Sequence, residues 1–434
     1  MQYTKNLEVR YHADVMVIGG GPAGVTAAVA AARHGKKVLL VEATGALGGL
    51  GTTGMVPAFA TFSDGVNLLC GGIGMEIRKQ VSKQFPPETY WTPIEAEELK
   101  RTYDAIVQEA GVQVLFFTTL ADVIVSGRHV ECAVLTSKRG LCAATADVFI
   151  DCSGDGMLAA LAGGEFELGD ENGAVMPPTV CSLWAGVDRE AYKGVSVAEQ
   201  LEPAIADGVF TFADRHLTGL YPKDGKAYGG NIGHIFDTDC LDEASMTHAM
   251  MWGRKSMEEY LKFYREYVPG CDRIELVATA PLLGVRETRR IRCDYMLGVQ
   301  DFLERAEFDD EIGRYCYPVD IHVMNTDEEE YKRFLEEYNK SLHYEKGESY
   351  GIPYRSLIPV SFDNVLTAGR CMGTDRQMEA SIRVMPGCYI TGQAAGTAAA
   401  MAVSKADGDV RRVNVKELQK ALACDGAYLR EELK

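Results

Sequence analysis

Asp14-Val15-Met16-Val17-Ile18-Gly19-Gly20-Gly21-Pro22-Ala23-Gly24 is the stretch that decides the fold. Its first five residues form an unbroken β-branched and apolar run, of the kind buried on both faces of a parallel sheet. Gly19, Gly21 and Gly24 spell G-x-G-x-x-G where that strand would turn into an alanine-rich helix reaching about His34. The glycines have separate tasks: a tight turn at Gly19, backbone approach to a pyrophosphate at Gly21, and close helix–strand packing at Gly24. Free N–H groups and the dipole of the helix then face the phosphates. Gly35 closes the helix, and Lys37 to Glu42 reads as a second strand, completing a βαβ unit. Glu42 ends that strand, where a carboxylate can take both hydroxyls of a ribose.

Beyond this unit, a glycine-dense loop from Gly45 to Gly54 leads to a helix expected over Ile73 to Phe85, stopped by Pro86-Pro87. Thr92-Pro93-Ile94-Glu95 has the form of a capping box with proline at the first helical position, opening a helix to Ala110. From Val112 to Ile150 the pattern changes to short strands (Val112 to Phe117, Ala121 to Val125, His129 to Thr136, Leu141 to Ile150), a meander between two parallel strands. The middle of the chain has helical stretches at Ala244 to Tyr267 and Glu328 to Leu342, with possible strands at Thr179 to Gly186 and Arg286 to Tyr295. After Tyr350 the glycine-rich texture returns, with a strand at Asn364 to Ala368 and a helix at Gly387 to Val403. The expected fold class is α/β: a Rossmann-like nucleotide-binding domain in two parts, 1–163 and 348–434, around an inserted α+β substrate domain at 164–347.

The 434 residues carry 62 acidic against 44 basic side chains, a net charge of −18. So acidic a chain does not coat nucleic acid or an anionic membrane, because phosphate neutralisation needs clustered cations. The most apolar stretches, Ala23 to Ala32 and Ala394 to Val403, fall short of the ~20 residues a membrane helix needs. Met1 to His12 has no apolar region of a signal peptide. Twelve cysteines without a C-x-x-C pair argue against a disulfide framework, an iron–sulfur cluster or a zinc site. They read as reduced, buried small hydrophobes of a cytoplasmic protein, and no metal is expected.

Ile150-Asp151-Cys152-Ser153-Gly154-Asp155-Gly156, Leu366-Thr367-Ala368-Gly369-Arg370 and Gly392-Gln393-Ala394-Ala395-Gly396 resemble the secondary signatures of two-dinucleotide-fold flavoproteins. Across Gly19 to Gly54, Cys70 to Glu76, Phe149 to Gly163, Gly284 to Arg292 and Gly351 to Ala400, the chain more closely resembles bacterial FAD-dependent oxidoreductases related to fumarate reductase and succinate dehydrogenase flavoproteins. The resemblance implies FAD as cofactor, held by Gly19, Gly21, Pro22, Ala23 and Gly24, with Glu42 and Ala43 at the ribose. Gly48, Gly49, Thr52 and Thr53 would line the pyrophosphate and ribityl chain, and Val123 would meet adenine through its backbone. Gly154 and Asp155 would sit by the pyrophosphate end. Gly369, Gln393, Ala394 and Ala395 would approach the flavin, with the helix near Gly392 aimed at the pyrimidine. A positive helix end there would stabilise an anionic reduced flavin; the same small residues also suit a packing helix. Arg370 stands where many relatives of the wider superfamily carry Asp.

Arg286, Arg289, Arg290 and Arg292 crowd one segment of an acidic protein. If extended, Arg286, Arg290 and Arg292 share one face. A guanidinium clamp suits a substrate carboxylate or a developing enolate, and a salt-bridged structural strand explains the group equally well. Arg286 is favoured for the clamp because it follows the apolar run Pro281 to Val285. His322, on a strand expected around Val319 to Val323, is the best proton-transfer residue of the eight histidines, although a lone His there is more often structural. Arg383, just before the expected flavin-facing helix, would hold substrate or flavin, and Arg355 is a weaker alternative.

No second strand–GxGxxG–helix follows Gly54, which argues against a dedicated NAD(P)H domain, and no CxxCH haem site is present. The leading expectation is an FAD-dependent oxidoreductase exchanging hydride between flavin N5 and a small organic substrate, at a C–H next to a carboxylate, carbonyl or alcohol. An external electron donor or acceptor would complete the cycle, with no nucleic-acid or membrane partner. An RNA-modifying flavoprotein would need a basic face, and a flavin-binding scaffold without turnover would show no cation at the flavin.

Overall fold

The computed structural model describes residues 4–82, 86, 88–217, 219–223 and 227–434. Strand Val9–Ile18 lies at the centre of a seven-stranded sheet. It pairs in parallel with Val38–Val41 on one side and Gly140–Asp151 on the other. Gln113–Leu115 extends the parallel part outward from Val38–Val41, and Val365–Thr367 pairs with the last residues of Gly140–Asp151. The first part of Gly140–Asp151 instead belongs to an antiparallel meander with Thr119–Ser126 and His129–Ser137. One strand therefore joins both halves of the sheet.

The period of two explains the layering. Val15 and Val17 point into a core shared with Ala27, Ala28, Tyr103 and Ala398. Met16 and Ile18 point the other way, against Leu120, Leu135 and Ile291. Helices Pro22–Arg33, Ala96–Glu109 and Met385–Lys405 cover the first face. Pro22–Arg33 and Met385–Lys405 touch backbone to backbone: a Cβ on Gly392 would lie 2.2 Å from the Ala23 oxygen, and one on Gly396 2.1 Å from that of Ala27. Only glycine permits that approach.

A second unit is built on a four-stranded antiparallel sheet, in the order Leu220–Pro222, Tyr228–Gly230, Ser182–Ala185, Glu275–Thr279. Trp184 of that sheet packs in one core with Phe263 and Tyr264 of the long helix Glu243–Tyr267. From Ile291 to Tyr315 the chain already packs into the cores around the parallel sheet. Among the described residues, no helix is long and apolar enough to cross a membrane.

Several local expectations are corrected. Thr92-Pro93 pairs with Ala58–Phe59 as a short strand, so the capping box does not form and the helix starts at Ala96, behind Glu95. The strand expected over Arg286 to Tyr295 is only Arg289–Ile291, and that over Thr179 to Gly186 only Ser182–Ala185. The residues around His322 form no strand. The helix after Cys70 spans Gly72–Val81; its expected end at Phe85, and Pro87, lie outside the described residues. The last long helix opens at Met385, two turns before Gly392.

Candidate active site

The turn after the first strand is fixed from two sides. Gly19 adopts φ +96°, donates its N–H to the Val41 oxygen at 2.8 Å, and lies so near the Cys152 carbonyl that a Cβ would stand 2.5 Å from it. A Cβ on Gly24 would fall 1.8 Å from the Gly19 oxygen. Gly21 is different. Nothing lies within 4 Å of its would-be Cβ, and Gly49 faces it, its own Cβ position 3.5 Å from the Gly21 Cα. Helix Pro22–Arg33 opens there with no side-chain cap and no acidic residue in its first turn. An open backbone cradle at an uncapped helix N-terminus fits a pyrophosphate. Beside it, Glu42 is buried, one carboxylate oxygen accepting Gly20 N–H at 2.8 Å and the other Thr44 N–H at 2.7 Å.

From this cradle a cleft of about 620 Å³ runs between the parallel sheet and the second unit. Gly19, Gly21, Pro22, Ala23, Glu42, Ala43 and Gly49 line its near end, Gly154, Asp155 and Gly369 its middle, and Arg286, His322 and Arg383 its far end. The fold thus brings together residues from every part of the sequence. Other expected contacts do not reach the lining. Gly24 packs against the turn, and Gly48, Thr52 and Thr53 lie behind the loop, where Thr52 Oγ1 donates to the Leu47 oxygen at 2.6 Å. Val123 is buried in the meander, and Thr118, Thr119 and Leu120 line the cleft instead. Gln393 accepts the Ile73 N–H at 3.0 Å, and Ala394 and Ala395 are wholly buried in the helix–helix packing. The N-terminal end of that helix, Val384, Met385 and Cys388, is what faces the cleft.

The arginine group divides. Arg292 pairs with Glu167 at the surface, Arg290 is buried between Glu287 and Glu379, and Arg289 donates to the Asp155 carbonyl. The one-face alternation fails because the strand is only three residues long. Arg286 alone reaches the cleft. Its Nη1 donates to the Pro177 oxygen at 2.6 Å and Thr179 Oγ1 at 2.9 Å, and its Nη2 to Asn231 Oδ1 at 3.3 Å. Burial, then the charge of Arg383, pushes its pKa down to about 10. Among the described residues no carboxylate forms an ion pair with Arg286 or Arg383. Arg383 donates to the carbonyls of Arg286 and Asp320. Arg370 is spent on Asp155 and the carbonyls of Gly154 and Val285, and Arg355 pairs with Asp310 away from the cleft.

His322 is not a lone histidine. Its Nδ1 lies 2.6 Å from His234 Nε2, and His234 Nδ1 lies 3.1 Å from Asp214 Oδ1. On the other side, His322 Nε2 stands 3.5 Å from Asp320 Oδ2. His216 stacks on His322 at 4.4 Å, the rings 8° from parallel. Burial, then Arg286, pushes the His322 pKa well down; burial, then His234, pushes His216 to about 4. Burial works against the Asp214 anion, yet His234 and the backbone N–H groups of His216 and His234 hold its carboxyl at about 2. Asp320, likewise opposed by burial, is held low by His322, Arg383 and His216. The three imidazoles offer nitrogens within 4.8 Å of one another. Nearly parallel rings, however, direct the His216 and His322 lone pairs side by side instead of onto one ion.

Asp214, His216, His234 and Asp320 have no spacing or motif that marks them in the sequence, since three separate segments meet only in the folded chain. An aromatic wall completes the cleft: Tyr90 and Trp91 pack on Tyr317, Trp91 on Tyr221, and Tyr338 stands nearby.

A family model described as FAD dependent oxidoreductase matches residues 14–422. Among curated proteins, a soluble pyridine nucleotide transhydrogenase of Chromohalobacter salexigens is 61% identical over 36 residues, 8% of this chain and 8% of that protein's length. Among solved structures, a geranylgeranyl bacteriochlorophyll reductase-like protein of Thermoplasma acidophilum aligns over 96% of this chain and 84% of its own, at 14% identity and a TM-score of 0.50. The flavin-dependent brominase Bmp2 aligns over 95% and 83%, at 13% identity and a TM-score of 0.47. The first of these likenesses supports the fold.

Proposed function

The chain belongs to the FAD dependent oxidoreductase family, and from that premise we propose that it exchanges hydride with a small organic acid or carbonyl compound bound at the far end of the cleft. Bound FAD would supply the two-electron chemistry. The cradle of Gly21 and Gly49, the helix N-terminus at Pro22 and the carboxylate of Glu42 are the groups suited to hold it. The observation that carries the reading is Arg286: a buried guanidinium with no ion-pair partner among the described residues, opening into the cleft that begins at the nucleotide turn. Such a cation is costly to bury unless an anion joins it. With Arg383 it would take a substrate carboxylate or the charge that develops on a carbonyl oxygen. The aromatic wall favours a planar body on that acid, and His322 would move the proton.

We further read the segments around Gly19, Phe149 and Gly351 as kinship with fumarate reductase and succinate dehydrogenase flavoproteins, and 164–347 as the domain that carries substrate between the two parts of the FAD domain. The cytoplasm and an external electron donor or acceptor complete the reading. A flavin scaffold without turnover would not need two arginines at the cleft that lack a carboxylate partner among the described residues, and the charge of −18 disfavours an RNA substrate. The test is an anaerobic screen of organic acids, alcohols and carbonyl compounds for bleaching of the flavin absorbance, with dithionite-reduced enzyme run in the reverse direction. If no compound moves electrons in either direction, the reading fails.

A further inference from the structure

We propose that Asp214 and His234 lock His322 with its proton on Nδ1, so that its bare Nε2 is a general base and the site oxidises an alcohol-bearing acid. This rests on the cleft being the substrate site, as read above.

The tautomers follow from one end of the chain of contacts. Asp214 can only accept: its Oδ1 takes the His216 N–H at 3.0 Å and its Oδ2 the His234 N–H at 2.7 Å. The ring nitrogen facing it, His234 Nδ1, must therefore carry the proton. In a neutral imidazole the other nitrogen is then an acceptor, so His234 Nε2 receives a hydrogen bond from the group that meets it among the described residues, His322 Nδ1 at 2.6 Å. Nε2 of His322 is left with a lone pair. The nearest carboxylate, Asp320, forms no hydrogen bond with Nε2: its Oδ2 stands 3.5 Å away and accepts the Tyr317 hydroxyl at 3.1 Å, so its charge favours the imidazolium that forms once Nε2 takes a proton.

The groups facing His322 keep it neutral at rest and receive its charge after proton transfer. Burial first, then Arg286 and the stacked His216, oppose a cation there, and Asp320 compensates one once it forms. The remaining rings around His216, those of Tyr331 and Phe334, add no charge at neutral pH. In the reaction the substrate O–H breaks and its proton forms an N–H bond at Nε2. Bound FAD would supply the acceptor for the hydride and electron pair of the adjacent C–H, so that the O–H and C–H bonds lost are balanced by the carbonyl C=O formed. His322 touches the reacting atoms; Asp214 and His234 act through it as positioning residues.

The experiment uses the holoenzyme labelled with ¹⁵N-histidine. Its long-range proton–nitrogen spectra, with His322 assigned by His322→Gln, are expected to show a pyridine-type Nε2 and a protonated Nδ1. Asp214→Asn presents an amide N–H to His234, which pushes each proton one place along and converts His322 to its Nε2–H form, as a carboxylate-to-amide change does in other carboxylate–histidine pairs. The rate of flavin bleaching by a substrate from the screen should rise with pH to a plateau in the parent protein. In Asp214→Asn it should fall at least about a hundredfold, with no recovery at high pH. If Asp214→Asn does not fold, His234→Phe, which removes the acceptor on Nδ1, is expected to give the same loss. An Nε2–H tautomer in the parent, an unchanged rate in the variants, or stoichiometric zinc whose removal shifts all three histidines would overturn the proposal. The expected tautomers in an enzyme that no compound bleaches would instead overturn the reading of the cleft as a substrate site, and the base role with it.

Discussion

Glu42→Ala separates what the carboxylate does for the protein from what it does for the cofactor. In the folded chain its oxygens accept Gly20 N–H and Thr44 N–H, and the first of these groups is buried. Removing the acceptor leaves Gly20 N–H without a partner, a stability loss of about 1–3 kcal/mol. A second loss of about 1–3 kcal/mol appears only when the ribose hydroxyls arrive and find no charged acceptor, which weakens FAD binding roughly 5- to 150-fold. Glu42→Gln keeps one oxygen for Gly20 and should restore most of the stability and a minority of the affinity. The assay is flavin removal, titration of the apoprotein with FAD by quenching of its fluorescence, and urea unfolding of the same apoprotein. A Glu42→Ala protein that binds FAD within twofold of the parent would refute the ribose assignment, whatever its stability.

Gly21 and Gly24 make a contrasting pair: Gly24→Ala should prevent soluble expression, since its Cβ would overlap the Gly19 oxygen, whereas Gly21→Val should melt within a few degrees of the parent apoprotein and purify colourless. Arg286→Ala should lower turnover about a hundredfold, roughly 3 kcal/mol, with FAD content intact, and Arg286→Lys should recover only part because a point charge cannot replace the fork; normal turnover with a lowered melting temperature would make its contacts to Pro177, Thr179 and Asn231 the whole of its role. His216 is held neutral in the fold, at about 4, but titrates near 6.5 when unfolded, so the unfolded chain binds the extra proton between those values and stability is lost as pH falls from about 6.5 to 4. His216→Phe, which keeps a ring on His322, should make the urea-midpoint profile shallower over that window without flattening it, because His234 and His322 are also held neutral in the fold.

The elements legible in the sequence are those whose signal is local. The run Asp14 to Ile18, the three glycines and Glu42 specify a strand, a turn and a second strand without help from the rest of the chain, and the cleft begins where they indicate. Local signals mislead where a distant segment competes. Thr92-Pro93 has capping-box chemistry, but Ala58–Phe59 offers it strand pairing, and the helix starts later. Gln393, Ala394 and Ala395 have the small side chains of a flavin-facing turn, and the same smallness lets them pack on helix Pro22–Arg33. Arg286 and Arg292 look alike in sequence; one is buried at the cleft and the other exposed because the chain leaves its strand between Ile291 and the surface. The cluster of Asp214, His234 and His322 is illegible for a simpler reason. Residues 214, 234 and 322 carry no pattern until the second unit folds over the sheet.

The backbone-to-backbone seat of Pro22–Arg33 on Met385–Lys405 also bears on how the protein is made. The partner of the first helix is synthesised roughly 350 residues later, a delay of about 20–70 s at ordinary elongation rates. Throughout that interval the nucleotide turn exists on a nascent chain whose covering helix has not yet emerged. Alanine and glycine are well suited to the wait, since a face made of methyl groups and bare backbone exposes little apolar surface for chaperones or neighbouring chains to seize. The layer that covers the turn is correspondingly closed late, only as Met385–Lys405 packs onto a helix made long before it.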